Sequence, residues 1–197
     1  MSTIPEPIFL AELKRAVCVP AVIKTEPIGQ GYYFLQQYAK QIIIPLLIQK
    51  NVTLAVVELT TCGLISDLLT SQSGASDYFL LGITPYNTDM KVKFGISQES
   101  LKHDGPGTVS LQTAKSLANK VRLYSNAIIG LAETGMLPSN LQSRRTQKEA
   151  GECYFAINTA VETISQELKI QKDLPRLLMR QNIVWEILKE LGRFLNN

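Results

Sequence analysis

From Val52 to Leu69 the chain reads VTLAVVELTTCGLISDLL: a β-branched run, a short polar turn, then apolar residues at helical spacing. Val52, Thr53, Val56 and Val57 predict a buried strand, and Leu64, Ile65, Leu68 and Leu69 predict a helix opening directly behind the turn. Such a unit needs a sheet with a helix laid on it. Between strand and helix stand Glu58, Leu59, Thr60, Thr61, Cys62 and Gly63. Hydroxyls, a thiol and free backbone N–H groups meet there, where a helix N-terminus favours negative charge, so the turn has the outline of an anion or oxyanion pocket. Leu59 is the oddity. It sets an apolar side chain at the carboxyl end of the strand, where an enzyme of this layout would carry its nucleophile.

The alternation of elements continues along the chain. Phe34, Leu35, Tyr38, Ile42, Leu46 and Leu47 predict a helix over 32–50 with a kink at Pro45. Ser73-Gly74-Ala75-Ser76 is turn chemistry, and Tyr78 to Tyr86 reads as a strand closed by Pro85. A short helix over Asn87 to Lys93 and a helical turn near Ser97 to Leu101 precede the break at Asp104-Gly105-Pro106-Gly107. Ser110 is placed to cap a helix whose apolar face is Leu111, Ala114, Leu117, Ala118 and Val121, ending near Tyr124. Ala127 to Leu131 is a short apolar strand, and Glu133 to Ala150 reads as a long polar loop. Cys153 to Ile157 and Val161 to Ile170 make an antiparallel hairpin, and the apolar stripe from Leu174 to Leu195 a helix lying across the sheet. The pattern predicts an α/β fold: a single three-layer α/β/α sandwich with a mixed β-sheet over residues 31–197. Residues 1–30, broken by Pro5, Pro7, Pro20 and Pro27, read as an N-terminal extension, an extended arm or short helix draped on it.

With 197 residues, 45% of them hydrophobic, the chain can bury one good core without needing two. A formal charge of +3 with dispersed Lys and Arg gives no basic stripe, so no nucleic-acid partner is expected. The apolar window Gln41 to Gln49 is far short of the roughly 20 residues of a membrane span, so no membrane association is expected either. Cys18, Cys62 and Cys153 are odd in number and widely spaced, and Pro5, Glu6, Pro7 and Glu12 stand where an export signal would be apolar; a reducing, cytoplasmic location is the expectation. His103 is the one histidine, in a Lys-His-Asp-Gly loop, and no cluster has metal-ligand spacing; neither a metal nor a cofactor is expected.

Taken in order, these residues resemble the CinA carboxy-terminal domain family, over about residues 32 to 197. The family's strand-turn-helix hallmark, Ala-Glu-Ser-Cys-Thr-Gly-Gly, is similar to Val57-Glu58-Leu59-Thr60-Thr61-Cys62-Gly63, with Leu59 in place of the serine. Its Gly-Ala-Ser segment resembles Gly74-Ala75-Ser76, and its Tyr-Ser-Asn-Glu-Ala-Lys resembles Tyr86-Asn87-Thr88-Asp89-Met90-Lys91, with the tyrosine-to-lysine spacing kept. Val109-Ser110 is similar to the family's Val-Ser at a helix start. Gly130-Leu131-Ala132 is similar to the opening of its Gly-Ile-Ala-Gly-Pro loop, although Glu133 and Thr134 replace the Gly and Pro, and Ile129 replaces a preceding Thr or Ser. Lys148 and Gly151 keep the spacing of a Lys-Pro-Val-Gly segment, and Arg176 with Arg180 resembles paired arginines at the start of the last helix.

Active members of the family hydrolyse the carboxamide of nicotinamide mononucleotide and release ammonia. The resemblance implies a serine nucleophile helped by a tyrosine and a lysine, here Tyr86 and Lys91, with turn N–H groups facing the oxyanion. It implies Glu58, Cys62, Gly63, Gly130, Ala132, Lys148, Arg176 and Arg180 around a pyridine mononucleotide or other phosphorylated small molecule, and a homo-oligomer. Leu59 has nothing with which to attack a carbonyl, so the leading expectation is a domain that has lost amidase catalysis and persists as a binding or interaction module. The alternative is an amidohydrolase in which Thr60, Thr61 or Cys62 takes over the attack with Lys91 and Tyr86; a third reading is purely structural. Simpler roles stand beside each residue: Glu58 as a helix cap, Lys91 as a solvated lysine, Cys62 as an inert thiol whose pKa the helix N-terminus would lower, and Arg144, Arg145 and Lys148 as a solvated loop.

Overall fold

The computed structural model describes residues 8–16, 27–101, 105–138 and 151–197. Its elements are α1 (Ile8–Ala16), α2 (Pro27–Tyr38), α3 (Ile44–Gln49), β1 (Leu54–Glu58), α4 (Leu64–Leu69), β2 (Phe79–Ile83), α5 (Thr88–Phe94), α6 (Leu111–Ser125), β3 (Ile129–Gly135), β4 (Glu152–Asn158), β5 (Thr163–Lys169) and α7 (Arg176–Asn196). The five strands lie in the order β2-β1-β3-β4-β5. β1 is parallel to both β2 and β3, and the pairs β3–β4 and β4–β5 are antiparallel, so the sheet is mixed.

Strand alternation explains the layers. Leu54 and Val56 of β1 face one way with Ile129, Leu131, Phe155 and Ile157, and join Leu35, Leu47, Ile187 and Leu191 in the larger apolar cluster. Ala55 and Val57 face the other way with Ala132 and Ala156, against Ala114, Leu117, Ala118 and Val121 of α6. The second face is lined with small residues because α6 lies close upon it: a Cβ on Gly130 would stand 2.0 Å from the carbonyl oxygen of Ala118. β1 therefore reads as a continuous apolar run, buried on both faces, as the sequence suggested.

Local rules place the helices. Asn87 caps α5 by accepting from the Met90 N–H at 2.8 Å, and Ser110 caps α6 by accepting from the Thr113 N–H at 3.1 Å. Pro45 has no N–H to offer the preceding turn, and the chain widens ahead of it into a π-helical turn over Ala39–Ile43, in which the Ile44 N–H reaches back to Ala39 O. α1 is seated in the core through Phe9, Leu10 and Leu13, all buried. Its Glu12 carboxylate accepts from Trp185 Nε1 at 3.1 Å and Lys189 Nζ at 3.4 Å on α7.

One expectation needs correcting. The segment from Glu133 onward is not loop: Glu133, Thr134 and Gly135 complete β3, and Met136 still donates to Glu152 O at 2.8 Å. The strand runs on because Glu133 pairs with both β1 and β4 and β4 continues the pairing to Gly135, while Thr134 Oγ1 donates to Thr108 O at 2.6 Å. Of the expected loop, residues 139–150 lie outside the described residues. No helix among the described residues is long and apolar enough to cross a membrane.

Candidate functional site

From β1 the chain passes through α4 to β2 on one side, then returns through α5 and α6 to β3 on the other. The carboxyl ends of β1 and β3 are therefore the point where the connections diverge, the place where open α/β sheets bind ligands. Glu58 and Glu133 lie side by side there, paired in the parallel register.

Both carboxylates are fully buried, and each is committed to the turn. Glu58 Oε2 accepts from Thr61 Oγ1 at 2.7 Å, the Gly63 N–H at 3.1 Å and the Ile65 N–H at 2.9 Å. Its Oε1 accepts from the Ser66 N–H at 2.8 Å and Ser66 Oγ at 2.6 Å. The carboxylate thus satisfies the N–H groups that open α4, which is the capping role. Glu133 Oε1 accepts from the consecutive N–H groups of Thr60 and Thr61, at 2.7 and 2.8 Å, and lies 2.9 Å from Thr61 Oγ1. Its Oε2 is buried with no hydrogen-bond partner. Burial raises the Glu133 pKa, against the lowering pull of the Thr60 and Thr61 bonds.

The turn reverses through two consecutive left-handed residues, Cys62 at φ 55° and Gly63 at φ 95°. The hydroxyls of the turn are spent: Thr60 Oγ1 donates to Gly135 O at 3.2 Å, Thr61 Oγ1 to the carboxylates, and both threonines are buried. Leu59 points to the opposite face, where it joins Val57, Ile96 and Ala132 in the apolar cluster under α6 and is only 6% exposed.

Lys91 is half-buried on α5; desolvation lowers its pKa and the charge of Glu133 raises it. Tyr86 is 58% exposed and borders a cleft of about 1020 Å³ that is also lined by Gly135, Leu137, Lys172, Arg176 and Met179. Tyr86 and Arg176, far apart in sequence, thus share one cleft. Arg180 approaches the turn itself, with Nη2 3.5 Å from Cys62 Sγ. The expected lowering of the Cys62 pKa is corrected to a rise: burial is the largest cause, and the favourable charges of Arg180 and Arg176 are opposed by Glu133 and Glu58. Gly130 and Ala132 are buried in β3, the first of them where α6 presses on the sheet. Lys148, like Arg144, Arg145 and His103, lies outside the described residues. Glu133, which a reading of sequence assigns to a loop, is the group brought closest to the turn.

Three comparisons bear on this arrangement. The sequence pattern of the CinA C-terminal domain matches residues 36–195. A CinA-like protein of Frankia casuarinae is 33% identical over 169 residues, covering 85% of this chain and 38% of that protein. The chain spans about two fifths of the length of the curated relatives it matches. Among solved structures, the competence/damage inducible protein CihA from Agrobacterium tumefaciens aligns with a TM-score of 0.73 at 27% identity, covering 83% of this chain and 96% of that one. The competence damage-inducible protein A from Klebsiella pneumoniae subsp. pneumoniae shares the fold with a TM-score of 0.74 at 17% identity, covering 83% and 98%. With its mixed five-stranded sheet, strand-turn-helix hallmark and match over most of its length, the chain belongs to the CinA C-terminal domain family.

Proposed function

We propose that this domain has lost nicotinamide-nucleotide amidase chemistry and acts by binding, its ligand a pyridine mononucleotide or another phosphorylated small molecule. The observation that carries the reading is Leu59. At the position of the family's nucleophile stands a side chain that is apolar, buried, and packed away beneath α6. Neighbouring hydroxyls offer no substitute, because Thr60 and Thr61 are buried and donate to groups of the fold. Binding is supported by the cleft, whose Gly135 accepts from Thr60 of the turn, and where Arg176, next to the carboxylate of Asp173, offers a cationic donor to a phosphate and Tyr86, Leu137 and Met179 offer a ring and apolar contacts to a base. Ammonia release from nicotinamide mononucleotide, measured alongside calorimetric titration with the same compound, tests the reading. Binding without turnover is the expected result, and turnover that Lys91→Ala abolishes would overturn it.

A second reading has one observation in its favour. Cys62 is the one nucleophilic side chain of the turn that is not fully buried, and its left-handed backbone turns it toward Arg180. A hydrolase working through this thiol would have to overcome the upward shift of its pKa. Abolition of any ammonia release by Cys62→Ser would favour this route.

A further inference from the structure

Two consecutive backbone N–H groups converging on one oxygen are the arrangement that receives an oxyanion in acyl-transfer chemistry. In this chain the N–H groups of Thr60 and Thr61 converge in that way, and the oxygen they meet is the chain's own Glu133 Oε1, at 2.7 and 2.8 Å. The carboxylate comes from β3, 73 residues away in sequence, so the contact is made by the tertiary fold and not by the turn itself. Its other oxygen, Oε2, is buried and unpartnered. A residue doing no more than stabilising the turn would be expected to satisfy both oxygens, as Glu58 does beside it. Proton counting points the same way. Thr61 Oγ1 has one proton and stands 2.7 Å from Glu58 Oε2 and 2.9 Å from Glu133 Oε1, so the turn cannot donate fully to both.

We propose that Glu133 is a built-in occupant of the turn's anion site, a carboxylate that holds the Thr60 and Thr61 N–H donors closed to any ligand oxyanion. The proposal deepens the reading above, on which it rests, by adding a second cause of lost hydrolysis independent of Leu59. It also bears on Lys91. Among the described residues, the titratable groups facing Glu133 are Glu58 from β1, Cys62 from the turn, Lys91 from α5 and Cys153 from β4. Lys91 is the cation among them, and the carboxylate that blocks the donors also favours its ammonium form, unsuited to accepting a proton. With the carboxylate removed, the vacated site takes small carboxylates.

The test uses sodium formate as the probe and sodium chloride at equal ionic strength as its control. In the intact chain, the Thr60 and Thr61 amide resonances stay unmoved by formate. In Glu133→Ala, both amides move upfield, and formate returns them downfield in a saturable way that chloride does not reproduce. Amides unmoved by the substitution, or moved equally by formate and chloride, would overturn the proposal. Should Glu133→Ala fail to fold, Glu133→Gln keeps the volume and an acceptor oxygen but removes the charge; both amides are then expected upfield of their positions in the intact chain, and unchanged positions overturn the proposal. The two failures are separable. Turnover of nicotinamide mononucleotide by the intact chain sinks the non-catalytic reading whatever the amides do, whereas amides of Glu133→Ala that do not respond to formate sink only the role of Glu133.

Discussion

Leu59→Ser is the substitution that would restore the family's nucleophile by name, and the fold predicts that it fails twice. Leu59 is 6% exposed and packs with Val57, Ile96 and Ala132, so its truncation leaves a cavity beneath α6. Buried leucines cut back to alanine cost about 2–5 kcal/mol, and a hydroxyl left in an apolar cluster adds to that. A loss of about 3–5 kcal/mol is expected. For a chain of this size that lowers the thermal midpoint by roughly 6–20 °C, at about 2–4 °C per kcal/mol. Urea unfolding monitored by circular dichroism measures the loss, and ammonia release from nicotinamide mononucleotide measures the gain in activity, expected to be nil. Serine alone leaves the Thr60 and Thr61 N–H groups on Glu133 Oε1. A destabilisation under about 1 kcal/mol would show that Leu59 is not the packed residue described, since buried leucines cost more than that. Robust turnover by the single variant would refute the reasoning about the site.

Three other outcomes are expected. Burial raises the Glu133 pKa above the ordinary value of 4.5, so the folded chain keeps this proton to a higher pH than the unfolded chain. Stability relative to Glu133→Gln should therefore fall as pH rises through the raised pKa, because the native state binds more protons in that window; urea titrations from about pH 5 to about pH 8 giving a constant difference would contradict it. The raised pKa of Cys62 predicts alkylation by iodoacetamide slower than that of glutathione at neutral pH, and slower still in Arg180→Ala, since Arg180 is the largest charge pulling that pKa down; peptide mass spectrometry follows both. Leu13→Ala is expected to cost about 3 kcal/mol in chemical denaturation, because Leu13 of α1 is completely buried in the main core cluster.

What could be read in the sequence was what local periodicity and capping decide. The β-branched run before the turn, the short helix after Asn87, the Ser110 cap, the hairpin and the apolar stripe of α7 all appear where spacing put them. What could not be read depended on distant partners. Glu133 looked like the first residue of a loop because a carboxylate rarely survives in the middle of a sheet, and only the N–H groups of Thr60 and Thr61 make its burial tolerable. Cys62 looked acidified because helix N-termini favour anions, but burial raises its pKa, and Glu58 already occupies the N–H groups that open α4. α1 was one of two readings of a proline-rich stretch, and the polar partners of its Glu12 are on α7, more than 170 residues along the chain. Leu59 was legible as a departure from the family's pattern. That it faces away from the turn, into α6, needed the strand's true phase.

The π-helical turn before Pro45 has a consequence for chain length. Leu35, Ala39, Ile43 and Leu47 are all completely buried, although each is four residues from the next. In a regular α-helix every such step overshoots a full turn by about 40°, so three of them would carry Leu47 about 120° from Leu35. The widened turn over Ala39–Ile43 takes up that rotation. Three regular turns need about 11 residues, and this segment spends one more on the same result. The segment thus holds a one-residue insertion in register: with one residue removed between Ala39 and Ile43, a plain helix would bring Leu35 and Leu47 back to one face, the ring of Pro45 still set against the preceding turn.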